Sequence, residues 1–155
     1  MRKFRLSETM QKIVIDTNVI VSSLITKGYP FRILFDLVLE KKVLLCLSEA
    51  VWKEYMEVLN RKKFSKYHEF KINAEIVLSK IEELAVTYYP DVKLSVIKDE
   101  PDNRFLELAV FAKADFLITG NTNDFKLSEY DNVKIIGATT YWKFYQKNIE
   151  HPSEA

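Results

Sequence analysis

An apolar, β-branched run that ends on a carboxylate, Ile13-Val14-Ile15-Asp16, constrains this chain more than any other feature. Branched side chains favour extended backbone, and a run without polar alternation suits a strand covered on both faces, as in a parallel sheet. Parallel sheets bind ligands in the crevice outside the carboxyl ends of their strands. An Asp that closes such a strand, followed by Thr17 and Asn18, therefore marks either a turn or a site.

The rest of the chain alternates the two periodicities. Val19, Ile20, Ser23 and Leu24 follow helical spacing up to Gly28, and Pro30 opens a second helix through Ile33, Leu34, Leu37 and Val38. Val43 to Leu47 reads as a strand, Ser48 as the N-cap of a helix through Val51, Tyr55, Val58 and Leu59, and Ile72 to Leu84 as a helix with Ile76, Leu78, Ile81 and Leu84 in phase. Val86 to Tyr89 and Leu94 to Ile97 are extended, 102 to 114 is helical, Phe116 to Thr119 and Val133 to Ile136 are strands, and Thr139 to Gln146 is a last helix. Helices between strands specify an α/β fold, a three-layer α/β/α sandwich with a mostly parallel central sheet.

A chain of 155 residues, 48% of them hydrophobic, supports one domain with one core. The lone Cys46, inside an apolar run, forms no internal disulfide and points to a reducing, cytoplasmic setting. The first residues carry Arg2, Lys3 and Arg5 with no apolar stretch behind them, so they do not read as a signal peptide, and no run nears the ~20 apolar residues that span a bilayer. No membrane role is expected. Lys plus Arg number 23 against 22 Asp plus Glu, which excludes a globally basic nucleic-acid coat protein. Arg61, Lys62, Lys63, Lys66 and Lys71, interleaved with Phe64, Tyr67 and Phe70, form the densest basic stretch, readable as an RNA-contacting surface or as a solvated helix face.

Acidic and amide residues from distant sequence fall on one edge of the expected sheet. Asp16 ends the first strand, and Asn121 and Asp124 follow the strand from Phe116. Asp102 lies in helical phase with Phe105, Ala109 and Ala112, and Glu54 borders the apolar stripe of its helix while Glu57 points to solvent. Clustered carboxylates repel one another, so a divalent cation is needed to hold them ionised; oxygen ligands suit Mg²⁺ or Mn²⁺, and His68, His151 and Cys46 lack the spacing of a zinc site. Such ions activate water and stabilise a leaving oxyanion, the chemistry of phosphodiester hydrolysis. Each residue has a plainer alternative: Asp99 and Asp102 as helix caps around Pro101, Glu54 as a surface residue, Asp124 as an Asx-turn before Phe125. The set carries the reading.

With those residues in view, the chain resembles the PIN-domain family, and within it toxins of toxin-antitoxin systems. The motifs are Ile13-Val-Ile-Asp-Thr-Asn-Val-Ile, Ser48-Glu-Ala-Val-Trp-Lys-Glu-Tyr-Met-Glu-Val-Leu, Asp102-Asn-Arg-Phe-Leu-Glu-Leu-Ala and Ala114-Asp-Phe-Leu-Ile-Thr-Gly-Asn-Thr-Asn-Asp-Phe. The resemblance implies a PIN-like nuclease domain over residues 12–147, with 1–11 as an extension and 148–155 as a tail. It implies Asp16, Glu54, Asp102 and Asp124 as metal-binding catalytic residues, with Thr17 and Asn18 shaping the first turn and Asp99 and Glu107 in support. Asn121 stands where the common pattern has Asp, and Asp124 is expected to supply the missing charge. A Mg²⁺- or Mn²⁺-dependent ribonuclease is implied, with Arg61, Lys62 and Lys63 against RNA, an antitoxin protein as partner, and a homodimer involving Tyr29, Phe31 and Phe35.

Two rivals stand beside this reading. An aspartate-nucleophile phosphatase also places Asp at the end of its first strand, but wants a second Asp two residues on, where this chain has Asn18. A PIN scaffold that binds RNA or protein without cutting accommodates Asn121.

Overall fold

The computed structural model describes residues 10–97, 100–120 and 128–150. Its strands are β1 (Lys12–Ile15), β2 (Leu44–Leu47), β3 (Val86–Thr87), β4 (Phe116–Ile118), β5 (Glu129–Tyr130) and β6 (Val133–Ile136). Its helices are α1 (Thr17–Ile25), α2 (Tyr29–Arg32), α3 (Glu49–Leu59), α4 (Phe70–Leu84), α5 (Asn103–Ala112) and α6 (Ala138–Tyr145). The strands form one sheet in the order β3-β2-β1-β4-β6-β5, parallel except for β5, which pairs antiparallel with β6. Successive residues of a strand face opposite sides, and Ile13, Val14 and Ile15 are all buried, so helices cover both faces of β1. Each such side chain contributes roughly 1.5–3 kcal/mol by leaving water, which fixes the register that Asp16 then inherits.

From β1 the chain moves outward through α1 and α2 to β2, then through α3 and α4 to β3. It returns through α5 to β4, on the other side of β1. α5 lies against β1, β2 and β4, and α3 touches α1, α4 and α5. The boundary between β1 and β4 is the topological switch point, where connections diverge and leave a crevice.

Local chemistry explains most element ends. Ser48 Oγ accepts from Val51 N at 3.2 Å to start α3, whose stripe Val51, Tyr55, Val58 and Leu59 is buried as expected. The helix opened by Pro30 continues from Ile33 to Val38 in the wider π geometry, with the expected Ile33, Leu34, Leu37 and Val38 all buried. In α4 the expected Leu78 and Ile81 are buried, but the expected Ile76 is not. The buried stripe of this helix is Phe70, Ala74, Val77, Leu78 and Ile81, whereas Ile76 is 51% exposed and Ile72 is exposed too. Phe70 sets that phase by stacking on Phe64 at 4.8 Å, and Ile76, two residues from both Ala74 and Leu78, is turned outward.

Leu94 to Ile97 forms no strand; Asn103 accepts from Ile97 N at 2.8 Å and donates to Ile97 O at 3.0 Å, tying the segment to α5 instead. β5, only two residues long, is too short to show a strand period in the sequence. Asp131 and Asn132, both at positive φ, make the two-residue turn that joins it to β6. Among the described residues, no helix is long and apolar enough to cross a membrane.

Candidate functional site

The site grows from the end of β1. Asp16 N donates to Ile118 O at 2.9 Å, which locks the Asp onto the end of β4, and its Oδ1 accepts from Asn18 N at 3.3 Å as the N-cap of α1. Thr119 Oγ1, one residue past β4, donates to Asp16 Oδ2 at 2.7 Å. The carboxylate thus spans the switch point, only 3% exposed, and burial pushes its pKa above the ordinary 3.8 although these neutral donors oppose the shift. Among the described residues no cationic side chain is paired with it.

Thr17 carries the site outward. Its hydroxyl donates to Glu54 Oε2 at 2.5 Å, and Arg104 Nη1 meets Glu54 Oε1 at 3.1 Å. Glu54 therefore faces inward from α3 with its side chain 18% exposed, and Glu57 faces solvent, where it pairs with Arg61 at 2.8 Å. Tyr55, next to Glu54, is buried and donates its hydroxyl to Ile15 O at 2.5 Å, pinning α3 to the end of β1. Burial, with the nearby Asp16 and Glu54 charges, holds the Tyr55 phenol well above its ordinary pKa, so it stays a neutral donor.

Asp102 ends a 3₁₀ turn, Glu100–Asp102, directly before α5, and is half-buried; its side chain makes no capping hydrogen bond to that helix. Thr17, Asn18, Glu54, Asp102 and Arg104 line one cleft of about 520 Å³ together with Lys53, Glu57 and Arg61, while the buried Asp16 is not among its lining residues. The cleft thus holds two of the four expected carboxylates, Glu54 and Asp102, and Asp16 is joined to it through Thr17, its neighbour in the chain and the donor to Glu54. Asp99, Asn121 and Asp124 lie outside the described residues. Among the described residues, no three His, Cys, Asp or Glu side chains are close enough together to hold a metal ion. The donors nevertheless suit a hard cation: they are oxygens, and among the described residues the buried Asp16 carboxylate meets only neutral partners.

Other expected residues sit elsewhere. Glu107 accepts from Leu94 N at 2.7 Å and so anchors the segment before α5. Arg61 lines the cleft, while Lys62 and Lys63 are exposed on the 3₁₀ turn Lys62–Phe64. The aromatic residues between the lysines are not a stacking surface: Phe70 is buried and Phe64 and Tyr67 pack against the core. Phe31 and Phe35 stack on each other at 4.4 Å, half-buried, beside exposed Tyr29.

Sequence reasoning passed over Thr119, Tyr55 and Arg104. Thr119 was readable as a hydroxyl at a strand's carboxyl end, and Tyr55 as a phenol on a buried stripe, which needs a partner. Arg104 offered no signal, because a single Arg on a helix is ordinarily solvated.

Known proteins agree with this architecture. A family model described as PIN domain matches residues 12–123. An uncharacterized protein of Methanocaldococcus jannaschii is 35% identical over 111 residues, covering 71% of this chain and 70% of that protein. Among solved structures, VapBC2 from Rickettsia felis, bound to a DNA fragment from their promoter, aligns with a TM-score of 0.52 at 17% identity, over 82% of this chain and 98% of that one, a likeness of fold.

Proposed function

The chain belongs to the PIN-domain family, and from that premise we propose that it is a Mg²⁺- or Mn²⁺-dependent endoribonuclease, the toxin of a toxin-antitoxin pair. The observation that carries the reading is the buried Asp16 carboxylate at the switch point, met by Thr119 and Asn18 but by no cationic side chain among the described residues. A carboxylate there costs free energy while ionised and unpaired, and a divalent cation offsets that cost.

By the family resemblance Asp16, Glu54, Asp102 and, in place of Asn121, Asp124 would be the carboxylates around the ion, a set that the described residues do not by themselves gather around one point. When bound, such an ion lowers the pKa of its water and stabilises the charge that develops on a phosphodiester. The chain's own residues do the positioning. Thr119 and Asn18 N orient Asp16, Thr17 orients Glu54, and Tyr55 keeps α3 against the end of β1. Arg61 lines the cleft, and the exposed Lys62 and Lys63 follow it in the chain, so that the three would meet the phosphates of an RNA strand. The fold likeness to VapBC2 supports an antitoxin partner, and the exposed Tyr29 beside Phe31 and Phe35 supports a homodimer. A cytoplasmic setting suits buried Cys46, whose thiol burial pushes up to about 12.

The test is incubation with single-stranded RNA. Cleavage is expected with Mg²⁺ or Mn²⁺ and none in EDTA; full activity in EDTA sinks the metal-dependent reading. A PIN scaffold that binds without cutting is the second reading, favoured by Asn121 and by the Arg104 pairing that already neutralises Glu54. It predicts RNA binding with no cleavage under either condition.

A further inference from the structure

Arg104 stands in the first turn of α5, two residues after Asp102, with its side chain 35% exposed. It reaches across to α3 and places one guanidinium nitrogen on Glu54, while the other Glu54 oxygen takes the Thr17 hydroxyl. Both oxygens of a carboxylate expected to bind metal are thereby occupied, one by a neutral donor and one by a full positive charge. A guanidinium and a divalent cation repel, and the same Glu54 oxygen cannot serve both well. Arg104 also has somewhere to go. It lines two adjoining clefts, of about 530 Å³ and about 680 Å³, that open toward Tyr89, Lys93 and Ser95. A planar guanidinium at the mouth of an acidic site suits bidentate contact with a phosphate.

We propose that Arg104 is a placeholder cation: it holds Glu54 before metal arrives, yields that oxygen to the metal, and its released guanidinium then binds a phosphate of the RNA strand. This rests on the metal-dependent ribonuclease reading. The placeholder compensates the Glu54 charge directly, in a cleft where Glu57 is already paired with Arg61, and its release couples metal loading to substrate binding, because both events need the same side chain in its second position.

The test is Mn²⁺ titration by calorimetry on the intact chain, wild type against Arg104→Gln and Arg104→Lys, followed by steady-state RNA cleavage. Arg104→Gln removes the competitor and is expected to bind Mn²⁺ roughly tenfold more tightly, yet to show a KM for RNA raised roughly tenfold. Arg104→Lys, which keeps the charge but not the fork, is expected to bind Mn²⁺ within about threefold of wild type with a KM between the other two. A merely structural Arg104 weakens Mn²⁺ binding when removed, and that result, or an unchanged affinity, overturns the proposal. An unchanged KM overturns its phosphate half. If wild-type protein binds no Mn²⁺ at all, the metal-dependent reading fails and the placeholder fails with it; if wild type binds and Arg104→Gln matches it, the placeholder alone fails.

Discussion

The end of β1 and the middle of α3 each supply a carboxylate to one edge of the sheet, and the two are held differently. Asp16 is buried among neutral donors, an amide and a hydroxyl, at a position fixed by hydrogen bonds to β4. Glu54 is half-buried and already meets a guanidinium. The first is rigid and lacks a counter-charge among the described residues; the second is balanced by a side chain that can move. A site built this way keeps its geometry on the strands and its adjustable charge on the helices, where rearrangement disturbs no sheet hydrogen bonds.

That contrast can be broken from either side. The largest expected effect is at Asp16: Asp16→Ala should lower RNA cleavage by at least ~100-fold, measured under single-turnover conditions, since removing a metal-ligating carboxylate removes activation of the nucleophile. Full activity in that variant would move the centre of the site elsewhere. Glu54→Gln should cost less, roughly tenfold in Mn²⁺ affinity, because an amide oxygen still ligates and the variant also releases Arg104 from its pairing. Equal losses at the two positions would erase the distinction between them.

Smaller effects concern stability. Tyr55→Phe removes the buried hydroxyl that Ile15 O accepts from, and should destabilise the fold by about 1–2 kcal/mol in urea unfolding. No change would show that the phenol does not hold α3 to β1. Asp16→Asn should act in the opposite sense in metal-free buffer. Burial raises the folded-state pKa of Asp16, so the fold favours its neutral form; stability is greatest below the ordinary value of 3.8 and falls as pH rises through the raised one. Asn, always neutral, should therefore make the fold more stable than wild type at pH 7 and no more stable near pH 3. A gain of equal size at both pH values would point to packing and not to charge.

Much of this contrast was legible in the sequence, but unequally. Ile13-Val14-Ile15 announced a two-sided strand and Asp16 its end, because an unbroken branched run has few other solutions. Glu54 rather than Glu57 was readable from helical phase against Val51 and Val58. What stayed hidden depends on contacts between elements far apart in the chain. Arg104 meets Glu54 only because α5 returns across the sheet to lie against α3, and Thr119 meets Asp16 only because β4 pairs beside β1. In α4, Leu78 and Ile81 are buried as their spacing predicts, but Ile76 is not, because Phe70 and its stack on Phe64 decide which face turns inward. Periodicity proposes a stripe; tertiary packing chooses between stripes of similar strength.

The central claim is that Asp16, at the switch point between β1 and β4, is a carboxylate that a divalent cation completes. Mn²⁺ titration of wild type and Asp16→Asn, each checked for folding by far-ultraviolet circular dichroism, tests it most directly. The account predicts saturable binding by wild type and affinity weakened by at least ~30-fold in the folded variant, since a neutral amide replaces a buried charge. Equal Mn²⁺ affinity in the two proteins would contradict it.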